Sequence, residues 1–254
     1  MAESAGAVKT EDTGCEGGRK MGNEPMRIGS ERWRRLVKDG ARSFGVTLDE
    51  SQLDCMALHA EELLRWNRRI NLTAITEPAE VAVKHFLDSL AAVPLVAAGA
   101  SVLDMGSGGG FPGLPLAAAL PQSRVTLVDS VRKKVSFLKH VIRRSGLQGA
   151  TALQARIEEL SGHADHRGRY EAVLARALAP LEELARLAAP LLAPQGAVIA
   201  LKAERVAEEM RLLEENPRRN TSGLRVRVAE VREVKLPVLN LRRWIVVMKT
   251  VHGG

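Results

Sequence analysis

The chain has little cysteine, few aromatic residues and no long apolar run. Its 254 residues include two cysteines, Cys15 and Cys55, and only 3% are aromatic. Two isolated cysteines cannot build a disulfide framework or a cysteine metal site, so we expect free thiols in a reducing compartment. No stretch reaches the ~20 apolar residues that cross a bilayer, and the first residues lack the apolar core of a signal peptide. These absences predict a cytoplasmic protein without a membrane anchor.

Positive charge exceeds negative charge in the composition. Lysine and arginine number 37 against 30 aspartate and glutamate, which gives a net charge of +7 and a pI of about 9.8. This excess favours a polyanionic partner such as nucleic acid, although it is also compatible with simple solubility. The low aromatic content argues against an extended platform on which single-stranded bases would stack.

The sequence divides into three parts by composition. The first part is rich in glycine, glutamate and lysine and has few large apolar side chains, which predicts a disordered tail. The second part shows helical spacing of apolar residues, with helix starts expected near Ser30, near Asp49 and at Pro78. We expect this helical extension to precede one larger domain. The three parts are residues 1–28, 29–95 and 96–254.

In the third part, short apolar segments typical of strands alternate with helical segments. Alternation of this kind predicts an α/β fold with a Rossmann-like, doubly wound and mainly parallel sheet. Two long strands follow at the end of the chain, and the short turn between them predicts an antiparallel edge. The predicted strands are 102–104, 124–129, 150–154, 171–175, 196–202, 224–236 and 241–250. The predicted helices among them are 131–144, 181–192 and 204–215.

A glycine-rich turn follows the first of these strands. Residues 104–113 read DMGSGGGFPG, and glycines there let the backbone approach a ligand closely. Residues 108–113 match the G-x-G-x-x-G dinucleotide fingerprint. Asp104, Gly106 and Gly108 instead open an acid-plus-G-x-G-x-G pattern, which resembles motif I of the class I S-adenosylmethionine (SAM) methyltransferases. Because an acid would repel a pyrophosphate but suits the cationic methionyl end of SAM, the charge favours SAM over NAD.

Other polar residues follow the carboxyl ends of the predicted strands. Ligands of open α/β sheets bind at that edge, where the strand order reverses. Asp129 ends the second strand at close to the ~20-residue spacing of a ribose-binding acid, and it could also cap the next helix. Ile157 and Glu158 follow the third strand, and Arg176 ends the fourth. We expect these side chains to converge with Asp104 around one ligand.

Six short stretches occur in one order along the chain. They are Asn71-Leu72-Thr73, KHFLDSL at 84–90, residues 104–113 with their Gly-Phe-Pro-Gly ending, LVDS at 127–130 followed by Lys133-Lys134, RIEE at 156–159, and Arg176-Ala177. Together they resemble the glucose-inhibited division protein B family, the bacterial small-subunit (16S) ribosomal RNA guanine-N7 methyltransferases. The resemblance extends from about residue 45 to the C-terminus.

The resemblance implies SAM as cofactor and small-subunit rRNA, free or within a ribosomal particle, as substrate. The SAM contacts that it implies are Gly106, Phe111, Ile157, Glu158 and Arg176. Asp104, Gly108 and Asp129 join them from the strand-end argument. Phe111 is expected to wall the pocket near the methionine, and Ile157 with Glu158 to hold the adenine. Arg176 has three readings: it pairs with a carboxylate, approaches substrate phosphate, or forms an ion pair with Glu158 or Asp104.

Three further groups of residues have two readings each. His85, Asp88 and Ser89 share one helix face and form either a wall of the SAM pocket or a hydrogen-bonded lock between the extension and the sheet. Residues 163–166 suggest a metal only weakly, and a solvated loop is preferred, so no metal is expected. The helix at 131–144 is basic, and with RNA as the implied substrate we prefer phosphate contact to mere solvation. Its basic residues are Arg132, Lys133, Lys134, Lys139, Arg143 and Arg144.

The implied chemistry needs no catalytic acid or base. N7 of guanine has a free in-plane lone pair and SAM has a sulfonium leaving group, so catalysis should be mostly positioning. No Ser-His-Asp or Cys-His arrangement is apparent, and no catalytic residue is assigned, although Arg176 is a candidate for substrate contact. Two alternatives remain open: a class I methyltransferase with another substrate, and a non-enzymatic RNA-binding or assembly factor with a SAM fold.

Overall fold

The computed structural model describes residues 25–204, 206–215 and 225–251. Most of the predicted tail, residues 1–24, therefore lies outside the described residues. Within those ranges, no helix combines the length and the apolar content that crossing a membrane requires.

The described chain begins with helices whose starts are explained by local capping. Helix α1 (Glu31–Arg42) begins after Ser30, whose side-chain oxygen accepts a backbone hydrogen bond from the first turn. Helix α2 (Glu50–Asn67) begins after Asp49, which forms a reciprocal capping box with Gln52. Both starts agree with the positions predicted from the sequence.

The third helical segment contains a π-helical turn. Helix α3 (Pro78–Val81) continues without a break into this turn (Ala82–Leu87) and then into α4 (Asp88–Leu90). The sequence predicts the start at Pro78 but not the π-helical turn. Such turns are rare and occur often at functional sites, and this one carries His85 toward the site described below.

In the described part of the chain, seven strands form one sheet in the order β3-β2-β1-β4-β5-β7-β6. Neighbouring strands pair in parallel except β7, which is antiparallel to both β5 and β6. This topology confirms the predicted doubly wound, mainly parallel sheet with an antiparallel edge. The strands are β1 (Ser101–Met105), β2 (Arg124–Asp129), β3 (Ala150–Gln154), β4 (Tyr170–Arg176), β5 (Leu192–Lys202), β6 (Arg225–Leu236) and β7 (Leu241–Val251).

Two apolar layers cover the two faces of the sheet. On one face, Trp33 of α1 and Phe86 pack edge-on with ring centroids 5.4 Å apart, and they share a continuous core with Leu127 of β2. On the other face, Val173 of β4 packs in a layer with Leu184. The N-terminal helices therefore cover one face of the sheet, and the predicted division into an extension and a larger domain stays a prediction. The remaining helices are α5 (Gly113–Ala119), α6 (Arg132–Ser145), α7 (Ile157–Leu160), α8 (Leu181–Ala188) and α9 (Val206–Glu215).

One predicted boundary is wrong. The helix expected at 181–192 is shorter, because α8 is followed by a 3-10 turn (Ala189–Leu191). Strand β5 then begins at Leu192 rather than at residue 196, and Leu192 pairs with Tyr170 of β4. The proline inside the 3-10 turn lacks the N–H that a continuing α-helix requires.

Candidate functional site

The candidate site lies at the carboxyl ends of β1 and β4, where the strand order reverses. The glycine loop after β1 turns sharply there, with φ of 69° at Gly106 and 54° at Gly108. A Cβ added at Gly106 would lie 2.6 Å from the Leu178 side chain, which belongs to the loop after β4. Glycine is therefore favoured at position 106 by its backbone conformation, and a Cβ there would also force the Leu178 side chain, which is 40% exposed, to move aside.

Asp129 connects the glycine loop to the start of α6. Its Oδ2 accepts a hydrogen bond from Gly108 N at 3.0 Å, and its Oδ1 accepts one from Val131 N at 2.8 Å. Asp129 is not the N-cap of α6, because Val131 occupies that position and no side chain caps the helix, so the capping alternative is wrong. Its ribose-binding role is untested and stays a prediction.

A cavity of about 440 Å³ opens beside Asp129, and we call it the Asp129 lobe. Asp129 lines one side, Ile157 and Glu158 line another, and Gly106 lies at its inner end. Ile157 is half-buried and Glu158 is exposed, which gives this wall an apolar part and an acidic rim. The volume falls in the ~300–1,000 Å³ range of small-molecule pockets.

A second cavity, of about 340 Å³, meets the first at Gly106, which lines both. We call it the Arg176 lobe. Its walls come from distant parts of the chain and are strongly charged. Its principal side chains are His85, Asp88, Phe111, Arg176, Lys202 and Arg243.

Arg176 is held by the π-helical turn rather than by the residues predicted as its partners. Its NH1 donates to Lys84 O at 3.0 Å and to Asp88 Oδ2 at 3.3 Å. The guanidinium carbon also lies 5.1 Å from the centroid of the Phe111 ring. The possible ion pair with Glu158 or Asp104 is therefore wrong, and the observed ion pair joins the helical extension to the sheet.

Asp88 is shared by two arginines. Its Oδ2 lies 3.3 Å from Arg176, and its Oδ1 lies 3.2 Å from Nε of Arg243 in β7. Burial raises the pKa of the Asp88 carboxyl, and the two guanidinium groups oppose that rise. Because the carboxylate bridges both cations, it fixes their positions in the Arg176 lobe.

Phe111 lies between two buried histidines. The rings of His59 and His85 each stack on it with centroid distances of 4.6 Å. Desolvation by burial lowers the pKa of His59 to about 4 and that of His85 to about 3. Both imidazoles are therefore neutral at neutral pH, and neutral His59 donates through Nε2 to Gly109 O at 2.7 Å.

The contacts of His85 fix its tautomer. Arg176 NH2 lies 3.3 Å from Nδ1 and can only donate, so Nδ1 is the acceptor. Nε2 then carries the proton and donates to Thr73 Oγ1 at 2.8 Å. Ser89 Oγ donates to His85 O at 2.6 Å. His85 and Asp88 join the extension to the sheet, which agrees with the hydrogen-bonded lock, and both line the Arg176 lobe. Their role as a wall of the SAM pocket stays a prediction.

Asp104 is fully buried beneath the glycine loop. Its Oδ2 accepts from Gly113 N at 3.0 Å, whereas Oδ1 has no hydrogen-bond partner among the described residues. Desolvation by burial raises the pKa of Asp104 to about 6. Asp104 lines neither lobe. Its observed contact holds the loop, and the predicted contact with SAM stays a prediction.

Sequence reasoning missed three residues that shape the site. His59 supports Phe111 from α2, Arg243 reaches Asp88 from the edge strand, and Lys202 lines the Arg176 lobe. Lys202 Nζ donates to Ala179 O at 2.6 Å and lies 2.8 Å from Glu209 Oε2, so it holds the loop after β4. Of these three, only Lys202 could have been identified from the sequence, because it is a charged residue at the end of an apolar strand.

Most of the other candidates from the sequence lie outside the two lobes. His166 Nδ1 lies 2.6 Å from Tyr170 OH, and no group of three metal-binding side chains occurs in the part of the chain that the structure describes. On α6, the side chains of Lys133, Lys139 and Arg143 are exposed and form no hydrogen bond or ion pair with a described residue, so these three cations remain available to solvent or to a partner. Lys134 lines the Asp129 lobe 3.9 Å from Asp129 Oδ2, and Arg144 lies 3.7 Å from Glu62.

The chain is similar in sequence to a known protein family and in fold to solved structures. The model of the family described as rRNA small subunit methyltransferase G matches residues 52–235. The ribosomal RNA small subunit methyltransferase G of Geobacter metallireducens is 41% identical over 84% of this chain and 94% of that protein. The protein of the same name from Roseiflexus sp. is 41% identical over 84% of this chain and 90% of its own length. Among solved structures, TrmN from Thermus thermophilus aligns with a TM-score of 0.48 and 23% identity, over 65% of this chain and 48% of that chain.

Proposed function

Because the chain belongs to the rRNA small subunit methyltransferase G family, we propose that it transfers a methyl group from SAM to N7 of a guanine in small-subunit rRNA. As a member of that family the chain is a methyltransferase, and its fold is that of the class I methyltransferases. The observation that carries the proposal is the meeting of the two lobes at Gly106, which lines both of them. Action on rRNA, free or in a ribosomal particle, implies that the protein works in the cytoplasm.

The Asp129 lobe has the groups that SAM would need. The Asp129 carboxylate can accept hydrogen bonds from ribose hydroxyls, and the half-buried Ile157 offers an apolar surface to an adenine. Glu158 on the rim can accept from an exocyclic amine. The absence of a Cβ at Gly106 leaves the inner end open to the methionyl part. SAM supplies, when bound, a methyl group on a sulfonium leaving group.

The Arg176 lobe suits a purine that is linked to phosphate. Its guanidinium groups can contact phosphate oxygens, and the buried Phe111 ring contributes to its apolar lining. Methylation at N7 leaves positive charge on the purine. The Asp88 carboxylate favours that charge, although the neighbouring cations oppose it.

The residues of the site act by positioning rather than by proton transfer. N7 has a free lone pair, so no group of the chain must remove a proton. His59 and His85 are neutral at neutral pH because burial lowers the pKa of each, and both already make hydrogen bonds within the protein. The chain's task is to align the base with the methyl group, a contribution that can reach ~7–11 kcal/mol in well-oriented systems.

The proposal is tested by identifying the product on small-subunit rRNA. In single-turnover reactions with SAM, nucleoside mass spectrometry should find 7-methylguanosine. The chemical step should be nearly independent of pH from about 6.5 to 8.5, because no base with an ordinary histidine or thiol pKa is required. A methyl group on an exocyclic amine or a ribose oxygen would contradict the N7 assignment, and a log-linear rise with pH would reveal a general base. RNA binding without methyl transfer would indicate a non-enzymatic factor.

A further inference from the structure

A basic surface lies at the C-terminal end of α2, outside both lobes. It contains an aromatic ring that α6 holds in place. The Trp66 ring lies 5.7 Å from the Phe137 ring and 5.3 Å from the His140 ring, both in α6. We call this surface the α2 groove. Its described residues are Arg65, Trp66, Arg68, Arg69 and Ile70.

The rim of the α2 groove presents cations without matching acids. Arg68 and Arg69 are exposed, and their side chains make no hydrogen bond or ion pair with any described residue. Arg65 pairs with Glu62 at 2.6 Å, yet its side chain is still 59% exposed. The three guanidinium groups are therefore accessible to a ligand that approaches the rim.

Glu62 anchors the groove to α6. Its side chain is 6% exposed and lies 2.6 Å from Arg65, 3.0 Å from His140 and 3.7 Å from Arg144. Burying a carboxylate is costly unless it is paired, so these contacts fix the two helices against each other. One carboxylate faces the two arginines and the histidine, and the surface around it keeps an excess of positive charge.

The α2 groove is close to the Arg176 lobe along the chain. Ile70 lines the groove and Leu72 lines the lobe. Asn67 holds the connection, because its Oδ1 accepts from Leu72 N at 2.8 Å and from Thr73 N at 3.0 Å. Its Nδ2 also donates to Thr73 O at 2.8 Å. The hydrogen bonds of the Asn67 side chain thus fix the short connection between the groove and Leu72 of the lobe.

We infer that the α2 groove binds the phosphodiester backbone of the substrate RNA beside the target guanine. Planar guanidinium groups match phosphate oxygens, and the net positive rim complements a polyanion. The inference rests on the proposed function for the identity of the polymer. It adds a second contact region, separate from both lobes, that captures RNA without touching SAM.

The test compares two full-length variants that lose equal charge. Arg68→Gln/Arg69→Gln removes two free cations of the groove. Arg124→Gln/Arg169→Gln removes two exposed cations at the amino ends of β2 and β4, away from the site. For each protein, the dissociation constant for a small-subunit rRNA fragment is measured over a series of KCl concentrations, and SAM affinity is measured separately.

The groove variant should bind the RNA more weakly. The slope of its log association constant against log KCl concentration should be less steep by about 1.4–1.8, since each lost phosphate contact removes ~0.7–0.9 from that slope. The control should keep the wild-type slope, and SAM affinity should be equal in all three proteins. Equal slopes in the groove variant and the wild type, or equal changes in both variants, would overturn the inference. Failure to form 7-methylguanosine would instead overturn the proposed function, and the salt slopes would remain interpretable.

Discussion

The two lobes of the site are built in different ways. The Asp129 lobe is formed by residues that directly follow the ends of neighbouring strands, such as Asp129 and Ile157. The Arg176 lobe combines a π-helical turn, a strand end and the antiparallel edge, and its Arg176–Asp88 pair joins positions separated by 88 residues. The first lobe thus follows from the fold class, whereas the second depends on how the N-terminal helices pack on the sheet.

The two lobes also differ in electrostatics. The Asp129 lobe has a lining of mixed charge, in which three carboxylates suit hydroxyl and amine donors and two cations, Lys134 and Arg156, lie beside them. In the Arg176 lobe, two guanidinium groups surround the buried carboxylate of Asp88 and pair with it. The positive charge that remains suits a phosphate group. We therefore expect the Asp129 lobe to govern SAM affinity and the Arg176 lobe to govern the rate of methyl transfer to RNA.

The largest expected effect comes from Gly106→Val, because Gly106 lines both lobes. A valine would be strained at φ of 69° and would collide with Leu178. We expect SAM affinity to fall more than about 100-fold, which corresponds to ~2.7 kcal/mol, and methyl transfer to be lost, as measured by calorimetry and single turnover. Gly146→Val is the matched control, since Gly146 has φ of 68° but open space around its Cβ position. Equal losses in the two variants would mean that the close contact is irrelevant.

Asp129→Ala should affect the Asp129 lobe more than the Arg176 lobe, although Gly108, whose N–H donates to Asp129 Oδ2, also lines the Arg176 lobe. Loss of hydrogen bonds from ribose to a charged acceptor corresponds to about 1.5–3 kcal/mol, or roughly 10- to 150-fold in SAM affinity. Calorimetric titration of the folded variant measures this loss. Because Asp129 also accepts from Gly108 N and Val131 N, its melting temperature is recorded with the affinity. Wild-type SAM affinity in this variant would remove Asp129 from the cofactor site.

Asp88→Asn should affect the Arg176 lobe alone. It leaves Arg176 and Arg243 without their shared carboxylate, so both guanidinium groups lose their fixed positions. We expect the single-turnover rate at saturating SAM to fall about tenfold or more, a barrier increase of at least ~1.4 kcal/mol. The control is Asp54→Asn, which removes the same charge from a more exposed pair with Arg34. A rate equal to that of the control would show that Asp88 serves stability only.

His59→Gln should change how the free energy of unfolding depends on pH. Its effect on SAM affinity and on the rate of transfer should be smaller than those of the preceding variants. Burial lowers the pKa of His59 to about 4, so below its unfolded pKa of ~6.5 the unfolded state binds a proton that the folded state does not. Wild-type stability should then fall, relative to the variant, by about 1.4 kcal/mol per pH unit from pH 6.5 to 4. Glutamine can still donate to Gly109 O but does not titrate in this range.

Asp104, whose pKa is raised to about 6, changes the free energy of unfolding with pH in the opposite direction. This change is the same in both proteins, so it cancels when they are compared. Denaturant unfolding at several pH values measures the free energy of unfolding of both proteins. If the two plots of this free energy against pH are parallel, His59 is not neutral in the folded protein.

The sequence was sufficient for those features that depend on local pattern. Caps predicted α1 and α2, alternation predicted the parallel sheet, and the short turn before β7 predicted the antiparallel edge. Asp129, Ile157 and Glu158 could be brought together because the ends of parallel strands meet at one edge. The end of α8 was misjudged because an apolar run fits a helix or a strand equally well.

The Arg176 lobe could not be assembled from the sequence in the same way. The motif at residues 84–90 identified His85 and Asp88, but not Arg176 as their partner, since no local rule relates residues so far apart. The π-helical turn left no pattern in the composition. Arg243 was one of several arginines near the C-terminus, and only the packing of β7 selects it as the partner of Asp88.

The central claim is that the two lobes have separate roles, and the crossed experiment tests it most directly. SAM affinity is measured for Asp88→Asn, and the single-turnover rate at saturating SAM and RNA is measured for Asp129→Ala. We expect SAM affinity within about twofold of wild type in the first variant, and a rate within about threefold of wild type in the second, differences of less than ~0.7 kcal/mol. If Asp88→Asn weakens SAM binding as much as Asp129→Ala does, the two cavities form one undivided site and the account is wrong.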